Sequence, residues 1–117
     1  MSIASPSPQT QTDGIWIIDA DGKTLFANDF MVEILGTTAS ELSGQDSFHY
    51  VFPEDMAAAQ RLFATKQAGS RAAFRFRLRR ADGSPIWVDV QGTPLHNAAG
   101  RFTGIVGSFT VSSVENG

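Results

Sequence analysis

At 117 residues the chain has room for one domain with a core of its own and no need of disulfides. With 42% hydrophobic and 18% charged residues it is globular rather than disordered, and a formal charge of −3 argues against a nucleic-acid surface. It has no cysteine, which excludes a disulfide scaffold, thiolate metal sites and a thiol nucleophile and suits a reducing cytoplasm.

Residues 1–13 are rich in Ser, Thr, Pro and Gln and hold no apolar stretch, so they are expected to be a flexible lead and not a signal peptide. No run anywhere approaches the roughly 18 apolar residues of a membrane helix. Residues 15–18 are a short apolar run between Gly14 and Asp19, the pattern of a buried strand. Residues 23–27 are its partner across Ala20-Asp21-Gly22. Asn28 or Asp29 can cap a short helix over 30–35, which Gly36 stops. Thr38-Ala39-Ser40-Glu41 reads as a capping box for a brief second helix that ends at Gly44. Residues 48–52 suit a single turn. Pro53-Glu54-Asp55 opens the longest helix: proline is tolerated at the first helical position, and two acids suit the positive end of the dipole. Met56, Ala59, Leu62 and Phe63 make its inward stripe, and Gly69 ends it.

Residues 71–80 alternate. Phe74, Phe76 and Leu78 face one way and Arg75, Arg77 and Arg79 the other. Ile86, Val88 and Val90 alternate with Trp87, Asp89 and Gln91. For both apolar sets to reach one face, paired residues must share parity. A two-residue Asp82-Gly83 turn breaks that rule; a three-residue Ala81-Asp82-Gly83 loop with a left-handed Gly83 restores it. Phe76 then faces Val88, Arg77 faces Trp87 and Arg75 faces Asp89. A last strand covers 102–111 after a loop at 97–100. Five strands with every helix between the second and third make an α+β layout, an antiparallel sheet with one face covered.

Asp19-Ala20-Asp21-Gly22, Asn28, Leu35-Gly36, Ser40-Glu41-Leu42-Ser43-Gly44, Phe52-Pro53-Glu54-Asp55, Ala81-Asp82-Gly83 and Trp87-Val88 occur together and in order. In this the chain resembles a PAS domain, the sensory box of bacterial-type signalling proteins such as sensor histidine kinases, over 14–111. The resemblance implies strand order 2-1-5-4-3, cupping a pocket under the helices. It implies a domain over 14–112 with a tail or linker from 113 to 117. It also implies a cytoplasmic sensory or dimerising module that acts on an output domain, most often a histidine kinase or cyclic-dinucleotide enzyme. The family's closing Asp-Ile-Thr reads Thr110-Val111-Ser112 here, and the chain is expected to be a piece of a longer protein.

Haem-binding relatives of this kind carry a histidine on the long helix. Here His49 precedes it and His96 lies near the end of the fourth strand. Flavin-binding ones use a cysteine and ring-bonding amides; the corresponding positions read Leu78, Val88 and Val106, so no cofactor is expected. What remains is an apolar cavity or a filled core. Its expected wall is Trp16, Ile18, Phe26, Met31, Phe48, Phe63, Phe76, Leu78, Val88 and Val106, with polar handles at Asn28, Tyr50 and Ser108. Periodicity leaves open whether Trp16 and Ile18 or Ile15 and Ile17 face inward; the resemblance favours the former. The outer face is expected to carry Ile15, Ile17, Trp87, Ile105 and Phe109 and to form a weak homodimer. No phosphate loop, metalloprotease motif or nucleophile elbow is present, so the domain itself is not expected to be an enzyme, and no metal site is expected. Two rival readings are a purely structural dimerisation domain with a filled core and a small α+β enzyme domain with an open substrate cone.

Overall fold

A computed structural model describes residues 13–112. The expected lead and tail therefore lie, Asp13 apart, outside the described residues. The strands are β1 Gly14–Asp19, β2 Thr24–Ala27, β3 Ala73–Arg79, β4 Pro85–His96 and β5 Phe102–Val111. They form one sheet in the order β2-β1-β5-β4-β3, with every neighbouring pair antiparallel. The helices α1 Asp29–Leu35, α2 Ala39–Leu42 and α3 Met56–Gln67 all fall between β2 and β3 and cover one face. This is the expected five-stranded α+β architecture.

Local chemistry explains the helix ends. The Asn28 side-chain oxygen accepts the Met31 N–H at 2.9 Å and the Ile15 N–H at 3.0 Å, so one amide caps α1 and ties it to β1. Gly36, at φ 69°, closes α1 in the left-handed region. Thr38 caps α2 through the Glu41 N–H at 3.1 Å, while the Glu41 carboxylate takes the Thr37 hydroxyl at 3.3 Å. Pro53–Asp55 is a separate 3-10 turn, and α3 proper starts at Met56.

The β3–β4 hairpin has the parity that its apolar pattern requires. Arg80 N–H donates to Ser84 O at 2.8 Å, which leaves Ala81, Asp82 and Gly83 as the loop, and Gly83 has φ 91°. Phe76 lies opposite Val88, Arg77 opposite Trp87 and Arg75 opposite Asp89. The core gathers Trp16, Met31, Ile34, Leu35, Leu42, Tyr50, Leu78, Val88 and Val90 between the sheet and α1 and α2.

Two expectations about facing are corrected. In β5, Gly107 lies opposite Trp16 and Ile105 opposite Ile18. Directly paired residues share a face, so Ile105, Gly107 and Phe109 point inward under the helices. Val106, opposite Ile17 and Thr93, and Ser108, opposite Ile15 and Gln91, point outward. The consecutive apolar pair Ile105-Val106 had made both parities plausible by pattern alone. In β2, Phe26 lies opposite Ile17 and therefore on the outer face, where it is 51% exposed.

Candidate functional site: an apolar cavity between the third helix and the sheet

The sheet itself carries few side chains on its inner face where β1, β5 and β4 run together. Gly107 of β5 lies between Trp16 of β1 and Gly92 of β4, so two of the three abreast have no side chain. The space above is a cavity of about 120 Å³. Its floor is Gly92, Ile105 and Gly107; Trp16, Ile18 and Phe109 close one side, and Phe74, Phe76, Leu78 and Val90 the other. The roof is Ala59, Leu62, Phe63 and Lys66 of α3, with Ser47, Phe48 and Val51 from the preceding turns. Phe48 and Phe63 meet edge to face at 5.7 Å, which braces the roof. Trp16 is held by its indole N–H, which donates to Thr24 Oγ1 at 2.9 Å, and by ring contacts with Tyr50 at 5.9 Å and Phe109 at 5.7 Å.

Of the thirteen residues expected at the cavity, the structure brings together Trp16, Ile18, Phe48, Phe63, Phe76 and Leu78. Met31 and Val88 are fully buried core residues and Tyr50 is a core ring packed on Trp16; they lie behind the wall. Asn28 spends its amide on the α1 cap and on the Asp13 carbonyl, 3.1 Å away, and offers no handle to a ligand. Phe26, Val106 and Ser108 are on the other face. Of the five residues expected on the outer face, Ile15, Ile17 and Trp87 lie there by register; Ile105 and Phe109 line the cavity.

The sequence reading missed Lys66. It is 3% exposed, and its ammonium donates to Ala72 O at 2.7 Å and Gly92 O at 2.9 Å. Burial lowers its pKa. The signal was its position: three residues after Phe63 and seven after Ala59, it falls on the inward stripe of α3. The arginine ladder is tied down within the chain. Arg75 pairs with Asp89 at 3.3 Å, Arg77 with Asp55 at 2.8 Å and Glu54 at 3.3 Å, and Arg79 donates to His49 O at 2.8 Å.

The lining does not suit the prosthetic groups met in similar folds. Its polar lining residues are Ser47, Lys66 and Trp16, the last with its indole N–H spent on Thr24, and no side-chain amide lines it to bond a flavin ring. His49 and His96 are exposed, against Tyr50 and Phe102 respectively, and neither lines the cavity to ligate a haem. Among the described residues no cluster of His, Cys, Asp and Glu could hold a metal ion.

A family model for the PAS fold matches residues 9–111, and the chain belongs to that family. It is 33% identical over 112 residues to the C4-dicarboxylate transport sensor protein DctS of Rhodobacter capsulatus, covering 92% of this chain and 17% of that protein. It is 30% identical over 94 residues to the uncharacterized protein y4lL of Sinorhizobium fredii, covering 80% of this chain and 11% of that one. The chain thus spans less than a fifth of the length of either relative. Among solved structures, a PAS domain from Colwellia psychrerythraea superposes with a TM-score of 0.78 at 18% identity, covering 89% of both chains. A light-oxygen-voltage domain studied with a flavin analogue superposes at 0.76 and 22% identity, covering 90% of this chain and 81% of that one. At these identities the two structures support the fold alone.

Proposed function

We propose that the chain is the ligand-sensing module of a cytoplasmic signalling protein, a PAS domain over 14–112 flanked by a lead and a linker. It takes a small, mainly apolar molecule into the cavity under α3. It passes occupancy to an output domain of the parent protein, a histidine kinase first, through the geometry of a homodimer formed on the outer sheet face. The cavity carries this reading: a space of about 120 Å³ lined almost wholly by apolar side chains stands open over the sheet, where close packing is the rule in protein interiors. The similarity to a sensor protein supports the signalling role. Ile15, Ile17, Trp87 and Val106 supply the apolar outer face. The module acts by binding: the Lys66 ammonium that lines the cavity is held by the Ala72 and Gly92 carbonyls, and none of the sequence motifs of a catalytic site accompanies it.

The test is entry of inert apolar probes. Dry apolar cavities of this order bind xenon and benzene. Both should shift the amide resonances of Gly92, Gly107 and Ala59 in a saturable way. Ala59→Leu, which fills the roof, should abolish those shifts while leaving the melting temperature unchanged or higher. Probes that move no cavity resonance would favour the structural-dimerisation reading.

A further inference from the structure

Lys66 sits where the fold least suits a cation. Its helix turns it toward the sheet together with Ala59 and Phe63, although an unpaired lysine is among the residues least often fully buried. The sheet makes way for it. A Cβ at Gly92 would stand 3.2 Å from Lys66 Cε, so glycine at 92 is what admits the stem. Beyond that point Nζ reaches two backbone carbonyls just outside the first β3–β4 pair, Ala73 with Gln91, and stands 5.5 Å from the centroid of the Phe74 ring.

An ammonium has three N–H bonds, and the carbonyls take two. Among the described residues no carboxylate lies within 4.0 Å of Nζ. Buried charges are normally paired, because leaving one unpaired is costly. Methionine at this position would have filled the same space without that cost. Lys66 is one of the residues that line the cavity; the others are aromatic and aliphatic apart from Ser47 and the Trp16 indole, whose N–H is held by Thr24.

We infer that the cavity is a site for a small apolar monocarboxylate, its carboxylate taking the third N–H of Lys66 and its hydrocarbon body resting against Phe48, Phe63 and Phe109. This deepens the ligand-cavity reading and rests on it. The residues set the class of ligand. One cation calls for one anion, and a charge-assisted hydrogen bond is stronger than a neutral one. The body must be compact, one ring or a short branched chain, because the space is about 120 Å³. A dicarboxylate is rejected, since its second charge would lie among Ile105, Phe109 and Leu78 without a partner.

Benzoate and nitrobenzene test this directly, because they share shape and electron count and differ in charge. Titration calorimetry on the intact chain should show benzoate binding at least about tenfold more tightly than nitrobenzene. Lys66→Met should bring that ratio close to one, with nitrobenzene affinity held within about threefold because the stem's volume is kept. Succinate should not compete with benzoate. Should Lys66→Met fail to fold, Lys66→Gln, which keeps a donor for the carbonyls, carries the same comparison, and the wild-type ratio needs no variant. Equal affinity for the two probes in the wild type, a benzoate preference that survives loss of the lysine, or competition by succinate would each overturn the inference. Nitrobenzene entering without any benzoate preference removes this inference alone. If nitrobenzene, benzoate and xenon are all excluded, the ligand-cavity reading falls and takes this one with it.

Discussion

Trp16 and Thr24 show how one side-chain pair stabilises the wall of the cavity. Both are buried, and the indole N–H has the Thr24 hydroxyl as its partner at 2.9 Å. Thr24→Val keeps the shape and removes the acceptor, leaving a donor stranded in an apolar setting. Urea denaturation should show a loss of about 1–3 kcal/mol, the usual cost of a buried unsatisfied group. In a double-mutant cycle with Trp16→Phe the two losses should not add, because the second change removes the donor that the first left unpaired. A Thr24→Val effect below a few tenths of a kcal/mol would mean that water replaces the hydroxyl and that the cavity is wet at this end. At the same scale Lys66 was legible in principle: a lysine on an inward helical stripe is a conflict between pattern and chemistry, and such conflicts mark sites. It passed unnoticed because the stripe was read only for its apolar members.

The elements divide by how local their determinants are. The β3–β4 hairpin was fully readable, because parity, loop length and a left-handed glycine lie within one short stretch of chain. Its loop carries its own acid sensitivity. Asp82 accepts the Ser84 N–H at 2.9 Å and the Ser84 hydroxyl at 2.6 Å, and these bonds, the hydroxyl first, hold its pKa below the ordinary 3.8. A carboxylate with a depressed folded pKa stabilises the fold fully above its unfolded value, and loses that contribution as pH falls through the folded one. The gap in urea midpoint between the wild type and Asp82→Ala should therefore be constant near neutrality and close as pH drops below 3.8. A gap that persists unchanged at lower pH would assign the effect to the loop backbone and not to the charge. β5 was misread for the opposite reason. Its facing is decided by partners almost a full chain length away. Gly107 lies opposite Trp16 and under the Phe109 ring, which a Cβ would overlap, and Gly104 packs so close to the Ile18 carbonyl that any Cβ would overlap it. Ile105 and Val106 satisfy a hydrophobicity pattern equally well in either register, and glycines have no side chain to break the tie. The cavity was hidden in a similar way: over Gly92 and Gly107 the Lys66 stem and the Phe109 ring come in close, and a strand's own pattern does not show which neighbours do so.

For the whole molecule, the corrected parity changes which substitutions report on assembly. The outer face combines Ile15, Ile17, Trp87 and Val106 with the exposed Phe26, while Arg75 and Arg77 beside it are paired with Asp89, Asp55 and Glu54. Like-charge repulsion between copies is correspondingly weaker than an unpaired ladder would produce. Sedimentation at rising concentration should show a monomer–dimer equilibrium that Val106→Arg shifts to monomer with little change in the melting temperature. Ile105→Arg, one residue away, should instead unfold the domain, because it buries a guanidinium among aromatic rings without a partner. If Ile105→Arg leaves a folded monomer and Val106→Arg does nothing, the facing of β5 described above is wrong.

The register of the two central strands has a further consequence. β1 starts at Gly14 directly opposite Phe109, two residues before β5 ends at Val111. Chain therefore enters and leaves the sheet through neighbouring strands, about one ladder spacing apart across the sheet and about two residues, or roughly 7 Å, along it. A fold built this way behaves as a cassette. It can be spliced into a longer polypeptide, duplicated in tandem or excised again while the distance between the flanking segments changes by no more than this short separation. Gly14 and Val111 can also be joined by a short linker and new ends opened at an exposed loop such as that around Gly83, giving a circular permutant with the same core.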